Sequence, residues 1–139
     1  MKSHAIVMHS QGNPEVMVLE EIDLGAPASG QAVIRQTAVG VNYIDVYHRS
    51  GVYTLPLPSR LGSEGAGVVE AVGPDVTHVK VGDRVAYQGG DIGSYATRRV
   101  MSAARLYPIP AGVSDEQAAA VMLKGMTVEY LLDRTVSLK

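Results

Sequence analysis

The chain has 139 residues and a formal net charge of −2, which fits one domain and does not favour nucleic acid or an anionic membrane as a partner. It contains no cysteine, which excludes disulfides and thiolate metal sites and is compatible with a cytoplasmic protein. No apolar run approaches the roughly 20 residues of a membrane span, and the N-terminus does not resemble a signal peptide. We therefore expect a cytoplasmic domain with no membrane or nucleic-acid partner.

The first part of the chain alternates strand signals with turn signals. Residues 5–8 predict a short strand, residues 11–14 a turn, and residues 16–22 the returning strand of a hairpin. Residues 31–41 alternate roughly with period two, with the odd positions 33–39 on one face and the even positions 34–38 on the other. This period predicts one long strand.

The middle of the chain starts with a break in that alternation. Residues 42–50 predict a short helix that ends at Gly51. From Leu61, a glycine-rich stretch leads into an apolar, β-branched run that stops at a turn, Gly73–Asp75. Later strands or extended segments are predicted at residues 85–87, 94–100 and 106–110.

The first strong helix signal comes late and begins at Ser114. Ser114 and Gln117 have the spacing of a capping box, and acidic residues in the first turn suit the helix dipole. A kink or break is predicted at Lys124–Gly125. The apolar stripe beyond that point consists of Val128, Leu131 and Leu132. Many short strands followed by one late helix predict a mostly β barrel or sandwich.

The stretch from Leu61 to Gly73, followed by Gly82-Asp83-Arg84-Val85, resembles the signature segment of the medium-chain dehydrogenase/reductase superfamily. Zinc alcohol dehydrogenases of that superfamily have Gly-His-Glu-x-x-Gly here, whereas this chain has Ser63 in place of the histidine. With Ser63 and its flanking residues, the chain resembles the zinc-less quinone oxidoreductase branch of the superfamily, the zeta-crystallin group. The resemblance runs from about Ala5 to Leu132 and implies a mostly β, GroES-like, partly open β-barrel.

The resemblance also implies a division of the chain. Residues 1–113 would form the N-terminal part of the GroES-like catalytic domain, and residues 114–139 a helix that leads toward an absent nucleotide-binding Rossmann domain. No strand-to-helix Gly-x-Gly-x-x-Gly occurs, because Gly65-Ala66-Gly67 leads into a strand. We expect an N-terminal fragment that binds little NADPH and is catalytically silent by itself. Unpaired edges and an exposed apolar helix face are expected to promote a homodimer or larger association.

The first candidate site residues are Asn42, Tyr47 and Tyr53. In the resembling family this segment lines the cleft beside the nicotinamide, which implies that all three approach the cofactor or the quinone. It further implies that Asn42 and Tyr53 bind NADPH, while Asp45 matches the family's aspartate. Amide and phenol groups can hydrogen-bond a carbonyl and offset charge that develops on a quinone oxygen. The residues alone favour another interpretation, in which Asn42 caps the short helix and the tyrosines are packing residues.

Lys124 and Thr127 are the second candidate pair. In the family this segment joins the barrel to the nucleotide domain, and Thr127 matches a residue near the nicotinamide. The resemblance therefore implies that both residues contact NADPH. A helix kink with a lysine that extends over apolar surface into solvent is the open alternative.

Glu64 lies inside the glycine cluster. A carboxylate there can act as a base or a ligand, but a buried carboxylate held by backbone N–H groups, with an arginine nearby, is the commoner arrangement. No cysteine or adjacent histidine could share a metal with Glu64, and the four histidines show no ligand spacing. We predict no metal site.

Together, these inferences predict that the parent protein is an NADPH-dependent, zinc-independent quinone oxidoreductase. A zinc-less reductase of enones or enoyl thioesters would share almost all of the motifs. A stand-alone GroES-like binding module is the alternative from a different functional class. A zinc alcohol dehydrogenase is disfavoured by Ser63 and by the absence of cysteine.

Overall fold

Residues 1–136 form two open antiparallel sheets and two α-helices. The structure of the chain is a computed structural model that describes residues 1–136. The first sheet has the strand order β2-β1-β4, and the second has the order β7-β3-β5-β6-β8. The strands are β1 Lys2–Met8, β2 Val18–Asp23, β3 Gln31–Gly40, β4 Ser59–Arg60, β5 Glu64–Val72, β6 Arg84–Gln88, β7 Arg98–Ser102 and β8 Tyr107–Pro108. The prediction of a mostly β, partly open architecture is confirmed.

The first hairpin differs from its prediction at the returning strand. A 3₁₀ turn occupies Pro14–Val16, so β2 begins at Val18 rather than at residue 16. Proline suits the first position of a helical turn because its φ is fixed and its missing N–H is not needed there. The strand predicted at residues 94–100 also shifts, since residues 94–97 cross between the sheets before β7 begins at Arg98.

The long strand β3 is observed as its sequence predicts. Ala32 and Ile34 belong to the buried cluster around Val69 and Tyr87, whereas Val33 between them is buried but lies outside that cluster. From Arg35 to Val39, exposed residues alternate with partly buried ones. The rough alternation that predicts one long strand is therefore confirmed.

Helix α1, Tyr43–Ser50, ends as its sequence predicts. Gly51 follows it with φ of 92°, and its backbone N–H donates to the carbonyl of Tyr47. This left-handed position favours glycine because a Cβ would be strained there. The helix itself lies between the end of β3 and the loop that leads to β4.

Helix α2, Asp115–Glu129, begins at the predicted capping box. The hydroxyl of Ser114 accepts from the Gln117 N–H at 3.1 Å, and the Gln117 side chain accepts from the Ser114 N–H at 2.9 Å. No break interrupts the α-helix at Lys124 or Gly125; the pattern changes only at Tyr130–Thr135, which forms a π-helical turn. The predicted break at residues 124–125 is therefore wrong.

Within residues 1–136, two clusters of buried residues share the strands β5 and β6. The larger one surrounds Ile34, Val69 and Tyr87 on the second sheet. In the smaller one, Ala118 and Ala119 of α2 pack on the small side chains of β5 and β6, Ala66 and Ala86. Small residues allow the helix to lie close to the sheet, and this closeness positions the site.

The later part of α2 and the π-helical turn present apolar side chains to solvent. Val128, Leu131 and Leu132 are all exposed, as the sequence predicts. Self-association through this surface stays a prediction, as does the division at residue 113. Residues 137–139 of the predicted linking segment lie outside the described residues.

Within residues 1–136, no helix has both the length and the apolar character needed to cross a membrane.

Candidate functional site

The centre of the candidate site is the buried carboxylate of Glu64. Glu64 is the first residue of β5, pairs with Gly40 of β3 and Gln88 of β6, and has 0% exposure. A Cβ at Gly40 would overlap the Glu64 carboxylate and lie 2.5 Å from the carbonyl oxygen of Ala119. Glycine at position 40 therefore leaves the space in which the carboxylate and α2 meet.

Three donors surround the two oxygens of Glu64. The Asn42 side-chain NH₂ donates to Oε2 at 2.7 Å, and the Leu123 backbone N–H donates to Oε1 at 2.6 Å. The Lys124 Nζ lies 3.6 Å from Oε2. A buried carboxylate is costly unless such donors compensate for its lost hydration. Glu64 is thus a buried carboxylate that accepts from a backbone N–H, which is the commoner arrangement expected from the sequence. The nearby cation is a lysine and not an arginine.

Asn42 connects this carboxylate to α1. It is the N-cap residue of α1, is 8% exposed, and its backbone N–H donates to Asp45 Oδ2 at 3.0 Å. At the same time its side-chain Oδ1 accepts a hydrogen bond from Lys124 Nζ at 2.9 Å. Asn42 therefore belongs both to the start of α1 and to the polar cluster, while its approach to the cofactor or quinone stays a prediction.

A second buried carboxylate, Asp45, lies in the first turn of α1. Asp45 is 4% exposed and accepts from the Tyr95 hydroxyl at 2.7 Å, while its Oδ1 has no hydrogen-bond partner among the described residues. Burial, together with the hydrogen bond to Asp45, raises the pKa of Tyr95 well above its usual range. Sequence reasoning missed Tyr95; the only local signal was an aspartate at the N3 position of a short helix.

Of the predicted tyrosines, Tyr47 lies on α1 and Tyr53 in the loop that follows it. The Tyr47 ring packs edge to face against Tyr43 at 5.1 Å and against Tyr53 at 5.4 Å between centroids. Tyr47 is 37% exposed and Tyr53 49%. Within residues 1–136, no group hydrogen-bonds the hydroxyl of Tyr47 or Tyr53. The rings support one another, and their hydroxyls are available to a ligand.

The remaining candidates lie on α2. Lys124 has 57% side-chain exposure and lies at one end of a groove of about 470 Å³ between the end of β3 and α2. The Thr127 hydroxyl donates to the Leu123 carbonyl at 2.8 Å, so only its acceptor lone pairs are free. The structure joins Asn42 with Lys124 directly and Tyr47 with Tyr53, while Thr127 contacts its own helix.

The donor set is suited to neutral or anionic oxygen atoms. An ammonium, an amide and two phenols are all donors. Within residues 1–136, no three His, Asp or Glu side chains are close enough together to hold a metal ion. Both Glu64 oxygens already accept hydrogen bonds. The cluster can therefore bind and orient a carbonyl or carboxamide at the solvent-exposed Lys124 ammonium.

The sequence matches the family model of the alcohol dehydrogenase GroES-like domain over residues 28–111, which is more than half of the chain. The chain belongs to this family. The resemblance noted in its glycine-rich stretch is thereby confirmed, together with the GroES-like fold.

Relatives of this GroES-like domain are longer proteins. A quinone oxidoreductase of Pseudomonas aeruginosa is 50% identical over 129 residues, which cover 92% of this chain and 40% of the relative. A 2-haloacrylate reductase of a Burkholderia species is 42% identical over 142 residues, which cover 97% of this chain and 42% of the relative. The chain thus spans less than half the length of these curated relatives.

A solved structure with the same domain is the Escherichia coli quinone oxidoreductase complexed with NADPH. It matches this GroES-like domain with a TM-score of 0.92 and 44% identity, over 95% of this chain and 41% of that one. This similarity confirms the mostly β GroES-like fold, and it shows that NADPH is bound by a protein with the same domain.

Proposed function

We propose that this chain supplies the GroES-like domain of an NADPH-dependent quinone oxidoreductase. The observation that carries the proposal is the contact of Asn42 with Lys124 above the buried Glu64 carboxylate. It joins α1 to α2 and leaves the Lys124 ammonium exposed as a donor. Support comes from relatives named as quinone oxidoreductases, one of which binds NADPH.

The residues fit a nicotinamide cofactor by the chemistry of their donors. The exposed ammonium of Lys124 and the unpaired hydroxyl of Tyr53 can donate, and the hydroxyl of Thr127 can accept. Asn42, Tyr53, Lys124 and Thr127 would therefore hold the nicotinamide end. Contacts to the adenosine and phosphates would lie in a nucleotide-binding domain, so this chain by itself would bind NADPH weakly.

When bound, NADPH supplies the hydride. The chain's own residues position the acceptor and offset charge on its oxygen. Asn42 is fixed by Glu64 and Lys124, while Tyr47 and Tyr53 hold each other edge to face. Fixed donors of this kind favour a transition state with developing oxyanion character, because they need little reorganisation.

The proposed reaction is independent of zinc. Ser63 stands where zinc relatives have a histidine, the chain has no cysteine, and both Glu64 oxygens are engaged by N–H donors. Elemental analysis of the purified protein would test this point. Stoichiometric zinc that activity requires would overturn it.

The test of the whole proposal is a chimaera in which residues 1–136 replace the matching part of the Pseudomonas aeruginosa relative. We expect the chimaera to oxidise NADPH with a quinone acceptor, and the 139-residue chain alone to be inactive. The unmodified relative is the control. A folded chimaera that binds NADPH but reduces no quinone would contradict the proposal, and turnover by the chain alone would contradict its predicted silence.

Reduction of an activated carbon–carbon double bond is the second candidate function. The similarity to a 2-haloacrylate reductase favours it, and the same donors would then bind the carbonyl or carboxylate of the acceptor. A panel of quinones, enones, enoyl thioesters and 2-haloacrylates on the chimaera separates the two functions. If no acceptor in the panel is reduced, a binding module becomes the better interpretation.

A further inference from the structure

The orientation of the Asn42 side chain follows from the chemistry of Glu64. A carboxylate only accepts hydrogen bonds, so the NH₂ end of the Asn42 amide must face Glu64 Oε2 at 2.7 Å. The carbonyl end then faces the opposite way and accepts from Lys124 Nζ at 2.9 Å. A glutamate thus sets the direction of a neighbouring amide, and the amide in turn holds the ammonium.

The second oxygen of Glu64 fixes the same lysine through the backbone. Leu123, the residue before Lys124, donates its N–H to Oε1 at 2.6 Å from within α2. Glu64 therefore contacts the helix directly, and it acts on the Lys124 side chain both through Asn42 and through the 3.6 Å charge pair between Oε2 and Nζ. Because Glu64 is fully buried while Lys124 is largely exposed, the carboxylate acts behind the surface and does not itself reach a ligand.

We propose that Glu64 is a positioning residue that sets the orientation of the Asn42 amide and, through that amide together with its own charge, the place of the Lys124 ammonium. Its effect on NADPH binding rests on the proposed function, whereas its effect on Asn42 and Lys124 does not. The remaining N–H donors of Lys124 face solvent and meet the ligand.

Glu64→Gln inverts this arrangement. A glutamine has one acceptor and one donor end, so it satisfies Leu123 only by turning its NH₂ toward Asn42. Asn42 must then present its carbonyl to position 64 and its NH₂ to Lys124, which places a donor against a donor. Asn42→Asp fails in another way, because it sets two carboxylates against each other without a shared donor.

The combination of Glu64→Gln with Asn42→Asp restores the network with its polarity exchanged. The new glutamine side chain accepts from Leu123 and donates to the new aspartate, whose other oxygen accepts from Lys124. Every donor again has an acceptor. Each of the two substitutions keeps the shape of its side chain and exchanges only one terminal oxygen or NH₂ group. If Glu64 acted through volume or packing alone, the second substitution would therefore not rescue the first.

The experiment uses ¹⁵N-labelled residues 1–139 and reads the Asn42 side-chain NH₂ signal, which Asn42→Asp identifies by removing it. We expect slow hydrogen exchange of this group in the wild type. In Glu64→Gln we expect exchange at least about tenfold faster, because the loss of one net hydrogen bond changes an equilibrium constant by about that factor. Glu70→Gln, the same change on the same strand, is the control and should leave the signal unchanged. Unaltered exchange in Glu64→Gln would overturn the proposal.

Urea unfolding of the two single variants and the double variant completes the cycle. We expect the double variant to be more stable than Asn42→Asp alone, and the contrary result would overturn the proposal.

In the chimaera, Glu64→Gln should raise the KM for NADPH about tenfold, and the double variant should recover most of that loss. If the wild-type chimaera reduces no quinone, the proposed function fails, while the exchange and unfolding results still decide the role of Glu64.

Discussion

Strand β5 carries two glutamates in opposite environments. Glu64 has 0% exposure and contacts an amide, a backbone N–H and, at 3.6 Å, a lysine. Glu70 has 23% side-chain exposure and pairs with two arginines, with Arg98 Nε at 2.6 Å and Arg35 Nε at 3.1 Å. Ion pairs at a surface are weakened by solvent, whereas a buried carboxylate depends on every donor that it has. We therefore expect the buried contacts of Glu64 to contribute more to stability than the closer ion pairs of Glu70.

Glu64→Ala is expected to produce the largest effect. Removal of the carboxylate leaves the buried NH₂ of Asn42 and the N–H of Leu123 without this acceptor, and it opens a cavity between β5 and α2. We expect the free energy of unfolding to fall by about 3 kcal/mol, as for other broken buried polar networks. Urea unfolding of residues 1–139 at neutral pH measures this loss. A fall below about 1 kcal/mol would mean that water replaces the carboxylate without cost.

Gly40→Ala tests the same network from the opposite strand. The added methyl would overlap the Glu64 carboxylate and press on the Ala119 carbonyl, so α2 has to move. We expect a loss of about 2 kcal/mol in the free energy of unfolding, in the range of overpacked interiors. The matched control is Gly125→Ala in α2, where the methyl meets only Val121 at 3.3 Å and helix propensity favours alanine. Equal effects of both substitutions would contradict the special role of Gly40.

These contacts explain what the sequence could and could not predict. The start of α2 and the end of α1 depend on residues within one turn, so Ser114, Gln117 and Gly51 predicted them. The partners of Glu64 lie 22 and 59 residues away along the chain. Periodicity contains no information on such distances, and only the family resemblance pointed to Asn42 and Lys124.

The same reasoning applies to what sequence analysis got wrong. The alternation in β3 predicted one long strand but not its irregular pairing with β5, which depends on residues 64–72. The glycine at position 125 predicted a break in α2, yet the helix continues past it. Glycine lowers helix propensity by only about 1 kcal/mol, which packing of Ala118 and Ala119 on the sheet can exceed.

Tyr95→Phe extends the comparison to the other buried carboxylate, Asp45. Loss of the hydroxyl leaves Asp45 without its 2.7 Å donor, and we expect the free energy of unfolding to fall by about 1 kcal/mol at neutral pH. Tyr43→Phe is the matched control, because the Tyr43 hydroxyl has no partner among the described residues and the ring is 72% exposed.

The Tyr95 variant also has a signature in pH. Burial and the bond to Asp45 raise the pKa of Tyr95 in the folded state. Above about pH 10, the usual tyrosine pKa, the unfolded chain loses this proton while the folded chain keeps it, so stability falls as pH rises. Tyr95→Phe should lack this part of the decline, and Tyr43→Phe should retain it. Parallel pH profiles for wild type and Tyr95→Phe would contradict the assignment.

Glu70→Ala is expected to have the smallest effect, although it removes two ion pairs. The hydrogen bond and the charge of Glu70 raise the pKa of Arg98, but Arg35 and Arg98 are 45% and 34% exposed and can be hydrated when Glu70 is lost. We expect less than about a third of the loss caused by Glu64→Ala, in line with exposed ion pairs. Because salt screens exposed charges, the difference between wild type and Glu70→Ala should shrink as sodium chloride is raised from low ionic strength, while the effect of Glu64→Ala should persist. Two results would contradict this contrast between Glu64 and Glu70. One is a loss of unfolding free energy in Glu70→Ala as large as that in Glu64→Ala, and the other is a Glu70→Ala loss that does not change with salt.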